Sequence, residues 1–263
     1  MHKKAEVHIN VPQDVLTAPI AGHILSSLIK FLAVRRQQIP FSYQTFISLV
    51  HGMSSRTHEA SCWSEIQMEK QKELARNTAQ DYEYLFRRIE YLFQTCHVQE
   101  VAFFLGATPL TPKEVWHVVL PEDMRNHTAS HHSRNSQLMV HQTIRAIATH
   151  EELMENLGRQ FYPTNMFCQF KIAQIPEGSV FEENYERKDL WSIPGMCHTT
   201  KIILENTLPD SAMRNCCGNL RIHGDSTPWA VKQEPKPGEW YSLRRTIKGF
   251  KEAIVKGKSI WNN

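Results

Sequence analysis

Apolar positions along the chain recur with two different periods, and the point where the period changes divides the predicted helices from the predicted strands. From Pro19 to about Arg36, Ile20, Ile24, Leu28, Phe31 and Leu32 return every three or four residues and line one side of a helix. Pro19 falls in its first turn and Pro40 beyond its end, both positions that a helix tolerates. Ser42 is placed to cap a short second helix carrying Phe46, Leu49 and Val50. Residues 52–68 read as an exposed connection. A long helix then runs from about Met68 to Cys96, with Leu74, Tyr82, Leu85, Ile89 and Leu92 on a face wide enough to make it the central buried helix.

After Cys96 the period shortens. Val101 to Leu105 and Val115 to Leu120 are short, almost wholly apolar runs, joined by the turn-rich Thr108-Pro109-Leu110-Thr111-Pro112, and both read as buried strands. A loop rich in histidine and serine, His127 to Arg134, precedes a helix from about Asn135 to Ala148; Glu151 to Leu157 extends it or adds one more turn. Met166, Cys168, Phe170 and Ile172 alternate with polar residues as a half-buried strand does. Thr200 to Glu205, Asn219 to His223 and Trp240 to Ile247 are further strands. At the other end, Val7, Ile9 and Val11 alternate within an extension over 1–16 that is either an edge strand or loose. Helices first and strands afterwards, with no repeat and no dividing linker, predict one α+β domain over 17–255 and a short basic tail over 256–263.

Composition changes this picture little. Of 263 residues, 41% are hydrophobic and 22% charged, as in ordinary globular domains. Lys and Arg number 30 against 27 Asp and Glu, too even a balance to point to nucleic acid by itself. No apolar run approaches the roughly 20 residues that a membrane span needs, and the polar N-terminus does not resemble a secretory signal. Cys62, Cys96, Cys168, Cys197, Cys216 and Cys217 form no C-x-x-C pair, so they are expected to be reduced thiols in cytosol or nucleus, several of them buried.

Candidate chemistry fails case by case. Gly257-Lys258-Ser259 has the ending of a phosphate loop, but the glycine needed five positions before the lysine's own glycine is Glu252. Gly224-Asp225-Ser226 offers a serine with no base or orienting acid after it, and reads as a polar turn. His127, His131, His132 and His141 are the densest histidine group, yet lack the further ligands of a zinc site, and no metal or other cofactor is expected. The C-terminal lysines and arginines with Trp240, Tyr241 and Phe250 among them have the makings of a single-strand nucleic-acid surface. Core packing of a closing strand explains those aromatics more simply. A non-enzymatic binding module is the favoured class.

Three stretches together resemble the comet family, the Mad-two-binding proteins that silence the spindle assembly checkpoint. They are Arg36-Gln37-Gln38-Ile39-Pro40 with Tyr43, then Phe104-Leu105-Gly106 with Leu110-Thr111-Pro112-Lys113-Glu114, then Lys248-Gly249-Phe250-Lys251-Glu252. Ile144-Arg145-Ala146-Ile147 adds a shorter match. The resemblance spans about Pro19 to Glu252.

It implies a HORMA-like fold: three main helices on a mostly antiparallel sheet, with a C-terminal seatbelt-type region. It also implies an adaptor that binds the closed conformer of Mad-two and presents it to an AAA+ remodelling ATPase, so that checkpoint complexes disassemble. Nucleus and cytoplasm, with spindle or kinetochore association, would be its locations.

By the same resemblance the checkpoint partner packs on the helix holding His141, Ile144 and Arg145, helped by Arg35 and Arg36 at the end of the first helix. Ile144 stands where vertebrate members carry an aromatic residue, and is equally well an ordinary core residue. The family's Arg-Pro-Lys stretch aligns with Glu186-Arg187-Lys188, which loses the proline. That leaves Arg187 and Lys188 as the ATPase contact, or as part of a solvated loop. Gly249 and Phe250 read as residues of the fold, the glycine for its backbone freedom and the phenylalanine as a plug. Two alternatives remain: a HORMA scaffold that captures a peptide in its own seatbelt, and a nucleic-acid-binding protein using the basic C-terminus.

Overall fold

A computed structural model describes residues 4–12, 15–53, 62–122, 124, 136–175, 181–207 and 237–261. In chain order the elements are β1 (Lys4–Val11), α1 (Ala18–Arg35), α2 (Tyr43–Gly52), α3 (Trp63–Thr95), β2 (His97–Gly106) and β3 (Pro112–Val119). Then come α4 (Ser136–Thr149), α5 (Glu151–Leu157), β4 (Asn165–Gln174), α6 (Phe181–Asn184) and β5 (Tyr185–Lys188). The last described elements are β6 (His198–Asn206), β7 (Glu239–Leu243) and β8 (Ile247–Lys248). The histidine-rich loop and the strand expected over Asn219–His223 lie outside the described residues, as do Cys216 and Cys217.

The strands form one mixed sheet in the order β1-β6-β3-β2-β4-β7-β5, with β8 continuing β7 alongside β4. β6 runs parallel to both β1 and β3; every other pairing is antiparallel. The class is therefore α+β, and the chain's N-terminal extension belongs to the sheet. Val7, Ile9 and Val11 of β1 point into the core while Glu6, His8 and Asn10 face out.

β2 sits at the centre, which explains its unbroken apolar run: both of its faces are covered. Val101, Phe103 and Leu105 join Trp116, Val118, Cys168 and Phe170 in the main core, under Ile24 and Leu28 of α1, Tyr82 and Leu85 of α3 and Met139 of α4. α1 is apolar enough along its 18 residues to pass for a membrane span, but nine of them are buried in this core. On the other face Ala102, Phe104 and Val115 meet Trp240 and Cys197, with Trp191 and Ile193 packed over them. Here the segment between β5 and β6 crosses the sheet. Trp191 lies flat on Trp240, the ring centroids 3.8 Å apart and the planes 2° from parallel. Its indole Nε1 donates to Gln169 Oε1 at 2.8 Å.

Three expectations are corrected. α3 starts at Trp63 rather than near Met68, and Leu74 is 51% exposed. At 1.5 Å per residue a helix of this length spans about 50 Å. Its buried residues begin only at Ala75, so its first turns carry apolar residues past the end of the core. The strand expected over Trp240–Ile247 breaks into β7 and β8, because Arg244 turns its amide to Asn184 O (2.9 Å) and Arg245 reaches Asp81 Oδ1 (2.6 Å). Residues 186–188 form no loop: they belong to β5, the strand at one edge of the sheet. Cys96, Cys168 and Cys197 are buried free thiols; Cys62 is exposed.

Candidate functional site

α4 has the spacing of a helix that is shared between core and surface. Met139, Thr143 and Ile147 are buried, Val140 and Ile144 lie on the shoulder, and Leu138, His141 and Arg145 face solvent. Ile144 is half-buried and packs against the main core, so the two readings of it are not exclusive: its inner side is core and its outer side is open. α1 packs along α4. Arg35, in the last turn of α1, is exposed, with its Nη2 3.9 Å from Met154 Sδ of α5. Arg35, His141, Ile144 and Arg145 thus belong to neighbouring helices on one side of the sheet.

Arg36 does not join them. Its side chain is 3% exposed and its Nη2 donates to Glu114 Oε1 at 2.7 Å, while its two Nη atoms also donate to the carbonyls of Asn156, Leu157 and Arg159. The guanidinium additionally lies over the ring of Phe161. The carbonyls at and just past the end of α5 gain a donor and the two Nη atoms of the buried guanidinium gain acceptors, while its Nε has no partner among the described residues. Arg36 is an internal tie, and the expectation that it contacts a partner is set aside.

The neighbouring residues extend this tie. Gln38 O accepts from the Phe250 amide at 2.7 Å, Gln38 Oε1 accepts from the Thr164 amide at 2.8 Å, and Gln38 Nε2 donates to Arg36 O at 2.6 Å. Gly249 N donates to Thr164 O at 2.9 Å. The three stretches that carry the resemblance, far apart in sequence, therefore meet in one knot: Arg36 on Glu114, and Gln38 on Gly249 and Phe250. Phe250 is 3% exposed and packs among Phe46 and Trp261, as a plug does.

Arg187 and Lys188 stand on β5, away from α4. Arg187 pairs with Glu239 (2.7 Å) and Asp189 (3.6 Å), and Lys188 with Glu186 (3.0 Å). All are surface pairs that an acidic partner would meet at little cost. Of Trp240, Tyr241 and Phe250 in the basic C-terminal segment, two are not free to stack on bases, since Trp240 lies under Trp191 and Phe250 is buried, while Tyr241 is half-buried. Gly257 and Lys258 belong to a tight turn closed by Val255 and Lys258, with Lys256 (φ 50°) and Gly257 (φ 76°) both left-handed, as a type I′ turn requires, and Ser259 follows it. Gly224-Asp225-Ser226, His127, His131 and His132 lie outside the described residues. Among the described residues no three histidine, cysteine, aspartate or glutamate side chains gather as a metal site.

A groove of about 590 Å³ between α1, α3 and α4 carries functional groups that sequence reasoning passes over. Lys30, Arg87, His23 and His141 line it together with Phe86, Phe93 and Val140. They come from three helices, and only the shared wall in space connects them.

Set against models of known protein families and against curated protein sequences, the chain matches none.

Proposed function

We propose that this protein is a non-enzymatic adaptor with a HORMA-like domain, of the comet type, that binds closed Mad-two and presents it to an AAA+ remodelling ATPase to silence the spindle checkpoint. The observation that carries the reading is the knot. The residues shared with the family are the ones that pin α1, β3, the end of α5 and the C-terminal segment to one another. A resemblance confined to surface residues would say far less about the fold. α4 then supplies the partner face, with Ile144 as a half-sunk apolar anchor and His141, Arg145 and Arg35 as its rim. Arg187 and Lys188 on β5 supply the ATPase contact. The adaptor works in nucleus and cytoplasm, with access to spindle and kinetochore, and itself makes and breaks no bonds.

The peptide-capturing alternative needs a free sheet edge for the captured strand. β4's outer edge is already occupied by the chain's own β7 and β8, so a captured strand would have to add at β1 or β5, the two edges of the sheet.

The test is co-elution of the full chain with closed Mad-two in size-exclusion chromatography, beside Ile144→Asp and Arg145→Glu. A complex lost in both variants supports adaptor and face together. A complex that both variants keep moves the face elsewhere. No complex at micromolar concentration and moderate salt sinks the adaptor reading. With Mad-two bound, Arg187→Glu/Lys188→Glu should abolish ATPase-driven disassembly while leaving binding intact.

A further inference from the structure

The groove between α1, α3 and α4 is elongated. Its α1 wall is the stripe Pro19, Gly22, His23, Ser26, Ser27 and Lys30, which at 1.5 Å per residue runs about 16 Å. α3 passes antiparallel beside it. A Cβ on Gly22 would stand 3.1 Å from Phe93 Cβ, and Lys30 Nζ is 4.8 Å from the Phe86 ring centre. The missing side chain at Gly22 brings the two helices close and leaves Phe86, Phe93 and Val140 as an apolar floor. A channel of this length suits roughly five residues of extended peptide, at about 3.3 Å each.

The rim is cationic. Lys30 is half-buried, and its ammonium is held by two aromatic faces, Tyr43 at 5.0 Å and Phe86 at 4.8 Å, with no carboxylate in ion-pair range among the described residues. Burial lowers its pKa, the direction expected of an ammonium that lacks a counter-charge. Arg87, one residue past Phe86, is exposed, and its one described contact is Nε to the carbonyl of Glu83 at 3.4 Å. Glu83 itself faces His51 at 3.2 Å. The single acid lining the groove, Glu90, is exposed and accepts from Gln94 Nε2. One lysine, one arginine, two histidines and the amides of Gln94 and Gln137 thus surround an apolar floor with one carboxylate among them.

We propose that this groove is a docking site for an extended acidic segment of a partner protein, its carboxylates meeting Lys30 and Arg87 at one end of the channel. The occupant follows from charge and shape. Aromatic rings screen Lys30 from solvent without neutralising it, and the channel is longer than a compact anion requires. The site shares only His141 with the face proposed for Mad-two, and it stands without that reading.

The probe is a fluorescein-labelled hexaglutamate peptide, followed by fluorescence anisotropy against the full chain at low salt, with labelled hexalysine and unlabelled inositol hexakisphosphate as comparisons. The expected result is saturable hexaglutamate binding that weakens at least tenfold in Lys30→Glu/Arg87→Glu. Lys256→Glu/Lys258→Glu, in the exposed C-terminal turn, should change it less than twofold. Arg87→Glu alone, on an exposed helix position, should weaken binding at least threefold and guards against misfolding of the double variant. Three results overturn the proposal: no saturable binding of hexaglutamate, equal weakening in the C-terminal pair, or binding of inositol hexakisphosphate alone.

Discussion

Arg36 and Glu114 form an ion pair of 2.7 Å with side chains only 3% and 4% exposed, joining the end of α1 to the start of β3. Burial pushes the Glu114 carboxyl up from its ordinary range, and the charge of Arg36 opposes that rise. Such a pair costs desolvation on both sides, and its net worth to stability is small so long as both members remain. Removing one member is another matter.

Arg36→Met leaves Glu114 buried without its counter-charge and removes the side-chain donor from the carbonyls of Asn156, Leu157 and Arg159. We expect a loss of about 3–5 kcal/mol at pH 7, measured by urea unfolding. The sign of its pH dependence follows. A carboxyl whose folded pKa is raised binds a proton more tightly when folded, so stability falls as pH rises past its unfolded value toward its folded value. The variant should therefore lose less at pH 5 than at pH 7. Equal losses at the two pH values would mean that Glu114 is not the group left stranded.

Gly249 is needed for closeness rather than for a left-handed backbone. Among the described glycines only Gly257 has positive φ, whereas a Cβ on Gly249 would stand 2.5 Å from Gln38 Oε1 and 3.0 Å from the Thr164 backbone. Gly249→Ala must push Gln38 off its hydrogen bonds, at a cost of about 1–3 kcal/mol. Gly257→Ala strains an open turn and should cost about 1 kcal/mol. A chemical-denaturation ranking with Gly257→Ala the more damaging would refute the close-approach account.

These two cases mark what is legible in the sequence. Periodic elements are: α1, α2 and α4 stand where their apolar spacing puts them, and Ser42 does cap α2, its Oγ accepting from the Thr45 amide. The central strand betrays itself because both faces of Val101–Leu105 must be apolar. The role of Arg36 is not legible, since Arg35 and Arg36 are adjacent and equally charged. One more residue of helical rotation separates solvent from core, and the acceptor, Glu114, lies on another element. β1 alternates visibly, but nothing local says that its partner is β6, parallel and near the other end of the chain. β5 has four residues, too few for a period, and the cationic groove is assembled from three helices.

Trp191 holds the crossing segment to the face that carries no helix among the described residues, through one flat stack and one hydrogen bond. Trp191→Ala forfeits both and should cost about 3 kcal/mol. Trp191→Phe keeps an aromatic face on Trp240 but strands Gln169 Oε1, costing about 1–2 kcal/mol. Limited proteolysis between Leu190 and Met196, the two most exposed large hydrophobic residues of that segment, should quicken in Trp191→Ala. An unchanged cleavage rate would show that the segment is held by something other than this stack.

Beneath that segment, Glu100 accepts from His117 Nε2 and Lys171 Nζ, each at 2.7 Å. The hydrogen bond from His117 brings the Glu100 carboxyl down to about 2, against the opposing effect of burial and with help from Lys171. A carboxylate with a depressed folded pKa releases its proton more readily when folded. Its contribution is whole above the unfolded value near 4.5 and disappears as pH falls toward about 2. Screening of this partly exposed trio leaves on the order of 1–2 kcal/mol at stake. Glu100→Gln should therefore be less stable than the parent at pH 6 by about that much, and the two unfolding curves should converge as pH falls to 2–3. His117 also rests against Trp191 and Trp240, with centroids 5.6 and 6.1 Å away. Loss of the carboxylate should accordingly show in tryptophan fluorescence before unfolding. Parallel pH–stability curves for parent and variant would rule out Glu100 as the acid-sensitive group of this face.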